Sequence, residues 1–199
     1  MPTANYMTQQ ALNRAVREAV EYVHADGWDN APCLFALVPT ELLADSLAGA
    51  MEDSIGGFDP DFLDSSPLTV VAQEPLPEGI EGGSPELSDF IARTTWPHGV
   101  VGAVLSQEVL IVAPEDEESL DGVSLDELRA HAGAHGARQA RLFTGMLHDG
   151  PSLTLIQPRP TEEELEERGP FAEDEIDLRS GSGLADGVIA ALAGTFVTE

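Results

Sequence analysis

From Leu12 to Val23 the apolar residues Leu12, Ala15, Val16, Ala19, Val20 and Val23 recur every three or four positions. That period puts them on one helical face, so a helix is expected from Thr8 or Gln9 to about Ala25, with Gly27 as its stop. Leu34 to Val38 is wholly apolar and reads as a short strand covered on both faces, ended by Pro39. Thr40 can cap a helix over Glu41–Met51. Leu68–Gln73 reads as a second strand. Ser84 or Pro85 opens a helix with Leu87, Phe90 and Ile91 as its stripe. The β-branched-rich runs Gly99–Leu105 and Glu108–Ala113 are separated by Ser106 and Gln107, a pattern that predicts an antiparallel hairpin. Arg138–Leu147 and Leu153–Gln157 bracket Asp149 and Gly150, which predicts a second hairpin. A short helix is expected over 124–132, and a last one over Leu184–Phe196. The sum is an α+β fold: a single mainly antiparallel or mixed sheet of about five strands with flanking helices.

The chain of 199 residues suits one domain over 1–199. The stretch at about 159–182 is dense in acids and poor in large apolar residues. It is expected to be a flexible acidic segment or a short surface helix over Glu162–Arg168.

Charge changes the picture most. There are 36 Asp and Glu against 9 basic residues, for a net charge of −27. Lysine is absent, and no Arg lies between Glu18 and Ala92. A nucleic-acid binder needs cations to displace counterions from phosphates, so nucleic acid is excluded as a default partner. An anionic membrane surface is excluded for the same reason. The N-terminus lacks a basic region followed by an apolar one, so a cytoplasmic protein is expected. The single cysteine, Cys33, sits in an apolar run and suits a buried small hydrophobe better than a nucleophile.

Candidate chemistry is sparse. Glu127, His131 and His135 are spaced by four and would share one face of a helix, offering a carboxylate and two imidazoles to a metal. Gly133 and Gly136 argue against a rigid helix there, and Arg129 and Arg138 would repel a cation. His148 and Asp149 form a second candidate, a base beside a carboxylate, although adjacent residues do not normally orient one another. Neither Gly79–Gly83 nor Gly181-Ser182-Gly183 has the lysine or the length of a phosphate loop. Arg141 is expected to anchor the second hairpin through a structural ion pair, with Asp149 as one carboxylate in the trio Arg138, Arg141 and Asp149. Trp28 and Trp96 are expected as structural anchors, and Asp149 and Gly150 as the turn. No cofactor is expected. The acid clusters Asp59/Asp61/Asp64 and Glu115–Glu118 fit adventitious binding of a divalent cation only.

Several segments together resemble a known family. They are Ala15–Trp28, Leu34–Val38, Gln73-Glu74-Pro75-Leu76-Pro77, Trp96–Gly102, Arg141-Leu142 with Leu147–Gly150, and the Gly183–Phe196 helix. Their order and spacing are similar to a family of conserved uncharacterised proteins of actinobacteria. The resemblance covers most of the chain. It implies a cytoplasmic, single-domain protein and carries over no catalytic residue. The chain departs from the family pattern at Gln107-Glu108, where members often carry a Glu-Arg pair, which weakens a site at that hairpin. Its acidic segment Glu162–Asp177 is longer than usual and reads as a lineage-specific insertion.

The function expected from these residues is that of a noncatalytic acidic cytoplasmic domain acting through protein contacts, with a second copy or another protein. Two alternatives stand beside it. One is a small metal-dependent or hydrolytic enzyme using the histidines above. The other is an acidic nucleic-acid mimic binding a basic protein.

Overall fold

The computed structural model describes residues 5–43, 66–112 and 136–196. The expected helices over Glu41–Met51 and 124–132 lie mostly or wholly outside these residues. So do the acid clusters at Asp59–Asp64 and Glu115–Glu118, and the candidate ligands Glu127, His131 and His135.

Helix α1 spans Gln9–Ala25, and the Thr8 hydroxyl caps it by accepting the Ala11 N–H at 3.1 Å. Such a cap is worth about 1 kcal/mol. All six residues of the predicted stripe are buried, together with Ala11. Strands β1 (Cys33–Pro39) and β2 (Leu68–Ala72) follow, then helix α2 (Pro85–Arg93). Pro85 stands at the start of α2, where its missing N–H costs nothing, and Ser84 caps it. Strands β3 (Gly102–Val112), β4 (Ala137–Leu147) and β5 (Ser152–Pro158) are the centre of the sheet. Helix α3 (Glu162–Arg168), a 3-10 turn at Ala172–Asp174, strand β6 (Arg179–Ser180) and helix α4 (Asp186–Gly194) complete the described chain.

The fold is α+β, built on one six-stranded sheet of order β2-β1-β3-β4-β5-β6. Every neighbouring pair is antiparallel. Helix α1 covers one face, against Phe35, Leu37, Leu68, Val104, Phe143 and Leu147. Helices α2 and α4 cover the other, where Leu87, Ile91, Leu192 and Phe196 meet Leu34, Ala103, Leu105 and Met146. Burial on both faces explains the continuous apolar run of β1. Gly145 lets α1 lie close to β4: a Cβ there would stand 2.5 Å from Val16 Cγ2.

One expected element is corrected. Ser106 and Gln107 do not turn the chain. They lie in the middle of the eleven-residue strand β3, opposite Phe143 and Leu142 of β4. Both are buried, at 3% and 4% exposure. Gln107 satisfies its amide inside the fold, since its Oε1 accepts the Gly83 N–H at 2.8 Å. A buried polar pair interrupts the hydrophobic pattern without interrupting the strand. The second hairpin is present as expected: Asp149 adopts φ 55°, and Gly150 N–H donates to the Leu147 carbonyl.

Candidate functional site

Among the described residues the largest fully buried side chain is a charged one, Arg141, at 0% exposure. It stands on the α1 face of β4, on the same side as Phe143 and Leu147, just beyond the point where α1 ends. Its partners come from three directions. Glu108, directly opposite on β3, accepts from Nε at 3.2 Å and from Nη2 at 3.1 Å. Gln157, directly opposite on β5, accepts from Nη1 at 3.4 Å. The Gly27 carbonyl, in the turn after α1, accepts from Nη2. The Trp28 ring lies over the guanidinium, 4.1 Å from its carbon to the ring centroid.

Burial pulls the Arg141 guanidinium below its ordinary range, and the Glu108 carboxylate pulls it back up. An arginine starts so high that it stays charged. The carboxylate of Glu108 also accepts the Asp29 N–H on its other oxygen, Oε2, at 3.1 Å and the Asn30 N–H on Oε1 at 3.3 Å. Arg141 and Glu108 therefore tie the turn after α1 to the two central strands of the sheet. The close contacts of both groups are spent within the fold.

A cleft of ≈ 490 Å³ opens beside this lock, lined by His24, Trp28, Arg138, Arg159, Arg168 and the acids of 173–177. Three of the nine arginines meet here, and each has an acid. Arg159 forks onto Asp29 at 2.7 and 3.0 Å and holds Gln139 at 2.7 Å. Its guanidinium also lies over Trp28, 5.4 Å from the ring centroid. The Arg159 hydrogen bond holds the Asp29 carboxyl below its ordinary range. Arg138 pairs with Glu164 at 2.6 Å. Glu164 closes a capping box with Thr161, and the Thr161 N–H is the main reason its carboxyl is held low. Arg168 stands 4.0 Å from Glu175. His24 Nδ1 lies 2.9 Å from Gln157 Nε2. Because the Gln157 oxygen faces Arg141, its amide nitrogen donates to His24, which puts the imidazole proton on Nε2.

The other candidates sit elsewhere. His148 and Asp149 lie at the β4–β5 turn, at the far end of β4 from Arg141, so Asp149 is not the carboxylate of Arg141. Arg138 reaches the Arg159 carbonyl and Glu164 instead. His148 Nε2 is 3.5 Å from Asp149 Oδ2, and its ring stacks on Phe196 at 5.3 Å. Phe196 stacks in turn on Trp96, whose Nε1 donates to Thr195 Oγ1 at 2.8 Å. The histidine thus helps hold the end of α4. Among the described residues no group of three His, Cys, Asp or Glu is placed to hold a metal. Burial raises the Cys33 thiol. No helix among the described residues is long and apolar enough to cross a membrane.

Sequence reasoning singled out Arg141 and Trp28 but missed Glu108, Gln157, His24, Asp29 and Arg159. One signal was available. Glu108 follows two polar residues inside an apolar run, and on a continuous strand it falls opposite Arg141.

An antiparallel sheet between helical layers, locked by a buried Arg–Glu pair, is the class of protein the fold and site define. Residues 12–197 match the model of the PPA1309-like protein family, and the chain belongs to that family. It is an uncharacterised family, in keeping with the resemblance read from the sequence. No curated protein and no solved structure matches the chain.

Proposed function

We propose that this chain is a noncatalytic cytoplasmic domain, of actinobacterial origin, that acts by binding another protein. The observation that carries this reading is Phe171, a large aromatic side chain at 75% exposure. It lies just past α3. Glu162, Glu163, Glu166 and Glu167 precede it, and Glu173, Asp174, Glu175 and Asp177 follow. An exposed aromatic residue within an acid-rich segment has the composition of an interface anchor, with the ring as hot spot and the acids steering a basic partner. The saturated Arg141–Glu108 lock supports a structural use of the most buried charges, because a catalytic base or acid needs a free side facing substrate.

The test is a photoreactive phenylalanine analogue at position 171, crosslinked in the native host cell. A discrete partner is expected at this position and not at another exposed hydrophobic control such as Leu184. The adduct should fade when Glu166 and Glu167 are both changed to Gln, and when salt is raised. Adducts of equal pattern at both positions would refute the reading.

A further inference from the structure

We infer that the edge of β3 beyond Ser106 is a strand-addition site for an extended basic peptide segment of a partner protein. The site is separate from Phe171, which does not line it, and it does not depend on the reading above.

β1 stops pairing with β3 where Cys33 meets Ser106, while β3 runs on to Val112 against β4. Strand alternation settles which β3 groups face the vacated side. On β4, the Gln139 carbonyl accepts the Arg159 N–H, so the Gln139 main chain points toward β5. Its neighbours Arg138 and Ala140 therefore point toward β3, where they stand opposite Ile111 and Val109. The main-chain groups of Glu108 and Leu110 are left aimed away from β4. Gly82 covers the first of these: a Cβ on it would overlap the Glu108 carbonyl oxygen. No hydrogen bond to another described residue covers Leu110.

That edge opens into a second cleft among the described residues, ≈ 820 Å³, between the loops Asp29–Pro32 and Gly79–Glu86. Its charged lining residues are Asp29, Glu81, Glu86 and Glu108, all acidic, while Pro32, Ile80 and Leu110 add apolar wall. A strand lying there would take its main-chain hydrogen bonds from Leu110 and its preference from the net negative wall, above all from the exposed Glu86, since Asp29 and Glu108 are already paired with Arg159 and Arg141. The chemistry selects alternating cationic and aliphatic side chains over acidic ones.

Residue-resolved amide exchange on the intact chain tests this. In the free protein the Leu110 amide should exchange at least about 100-fold faster than those of Val109 and Ile111, which are paired with β4. A synthetic pentapeptide alternating arginine and valine should slow Leu110 at least about tenfold, by pairing its N–H. The same peptide with alternate amides N-methylated should not, nor should a glutamate–valine counterpart. Glu86→Arg, an exposed change in the first turn of α2, should weaken the basic probe about three- to tenfold through lost complementarity. Leu110 already as slow as Val109 in the free protein would overturn the proposal, because the edge would then be paired by the chain itself. Equal effects, or none, from the basic, acidic and N-methylated probes would overturn it as well.

Discussion

Arg141 and Glu108 stand directly opposite each other on neighbouring strands, and the wholly buried guanidinium donates to the carboxylate from two of its nitrogens, at 3.2 and 3.1 Å. Glu108 also receives two main-chain amides from the turn after α1. The pair therefore joins a helix end to two strands, and its energetics are those of a buried charge whose partner must not be lost. Arg141→Met is expected to cost about 3 kcal/mol, because it leaves the carboxylate without its cation. Glu108→Gln should cost about 2 kcal/mol, less because Glu108 keeps some solvent contact. The double variant should recover at least about 1 kcal/mol of the summed loss. Denaturant midpoints of the four proteins measure this, and strict additivity would mean that the pair is not coupled.

Trp28 supplies the ring for two cations, Arg141 and Arg159. Trp28→Leu keeps an apolar side chain but removes the ring face, so it should cost about 1–2 kcal/mol. Trp28→Phe should cost less than half of that. Chemical denaturation followed by far-UV circular dichroism separates the two.

Asp29 and Glu164 both have carboxyls held below their ordinary values of 3.8 and 4.5. Folding then favours the ionised form. Their contribution is fully present above those ordinary values and is lost as pH falls through the lower folded ones. Stability should therefore decline between about pH 5 and pH 2, and Arg159→Gln or Arg138→Gln should flatten that decline. Both carboxylates have solvent access, so added salt should flatten it too. Thermal midpoints across this range give the slope. An unchanged slope in both variants would contradict the assignment.

Two glycines should respond in opposite directions. Gly145→Ala drives a methyl into Val16 and should cost about 1–3 kcal/mol. Gly187, in the first turn of α4, has open space around its missing Cβ. Gly187→Ala should gain up to about 0.5 kcal/mol from helix propensity. Equilibrium unfolding resolves both signs.

Phe171→Ser should leave unfolding within about 0.5 kcal/mol of the parent, since an exposed side chain has little packing to lose. A larger loss would mean that the ring packs in the native state and is not presented to a partner.

The sequence alone determined the elements whose physics is local. The α1 stripe from Leu12 to Val23 could bury only as a helix, because no other period brings those residues to one side. The Ser84-Pro85 start of α2 and the Asp149-Gly150 turn carry their signals within a few residues, whereas over Glu162–Arg168 the sequence left a flexible segment and a short helix as alternatives, and the structure has the helix. Tertiary structure decided what depends on neighbours distant in the chain. Ser106 and Gln107 look like a turn until β1 and β4 are placed on either side of them, when they become the buried middle of one strand. The partner of Arg141 proved to be Glu108, 33 positions away, and not Asp149, because strand register matches residues by pairing and not by proximity in sequence. The net charge of −27 is itself legible in the sequence. Only the fold showed that three arginines gather in one cleft, each meeting an acid, and that a fourth is buried whole as the lock between a helix and a sheet.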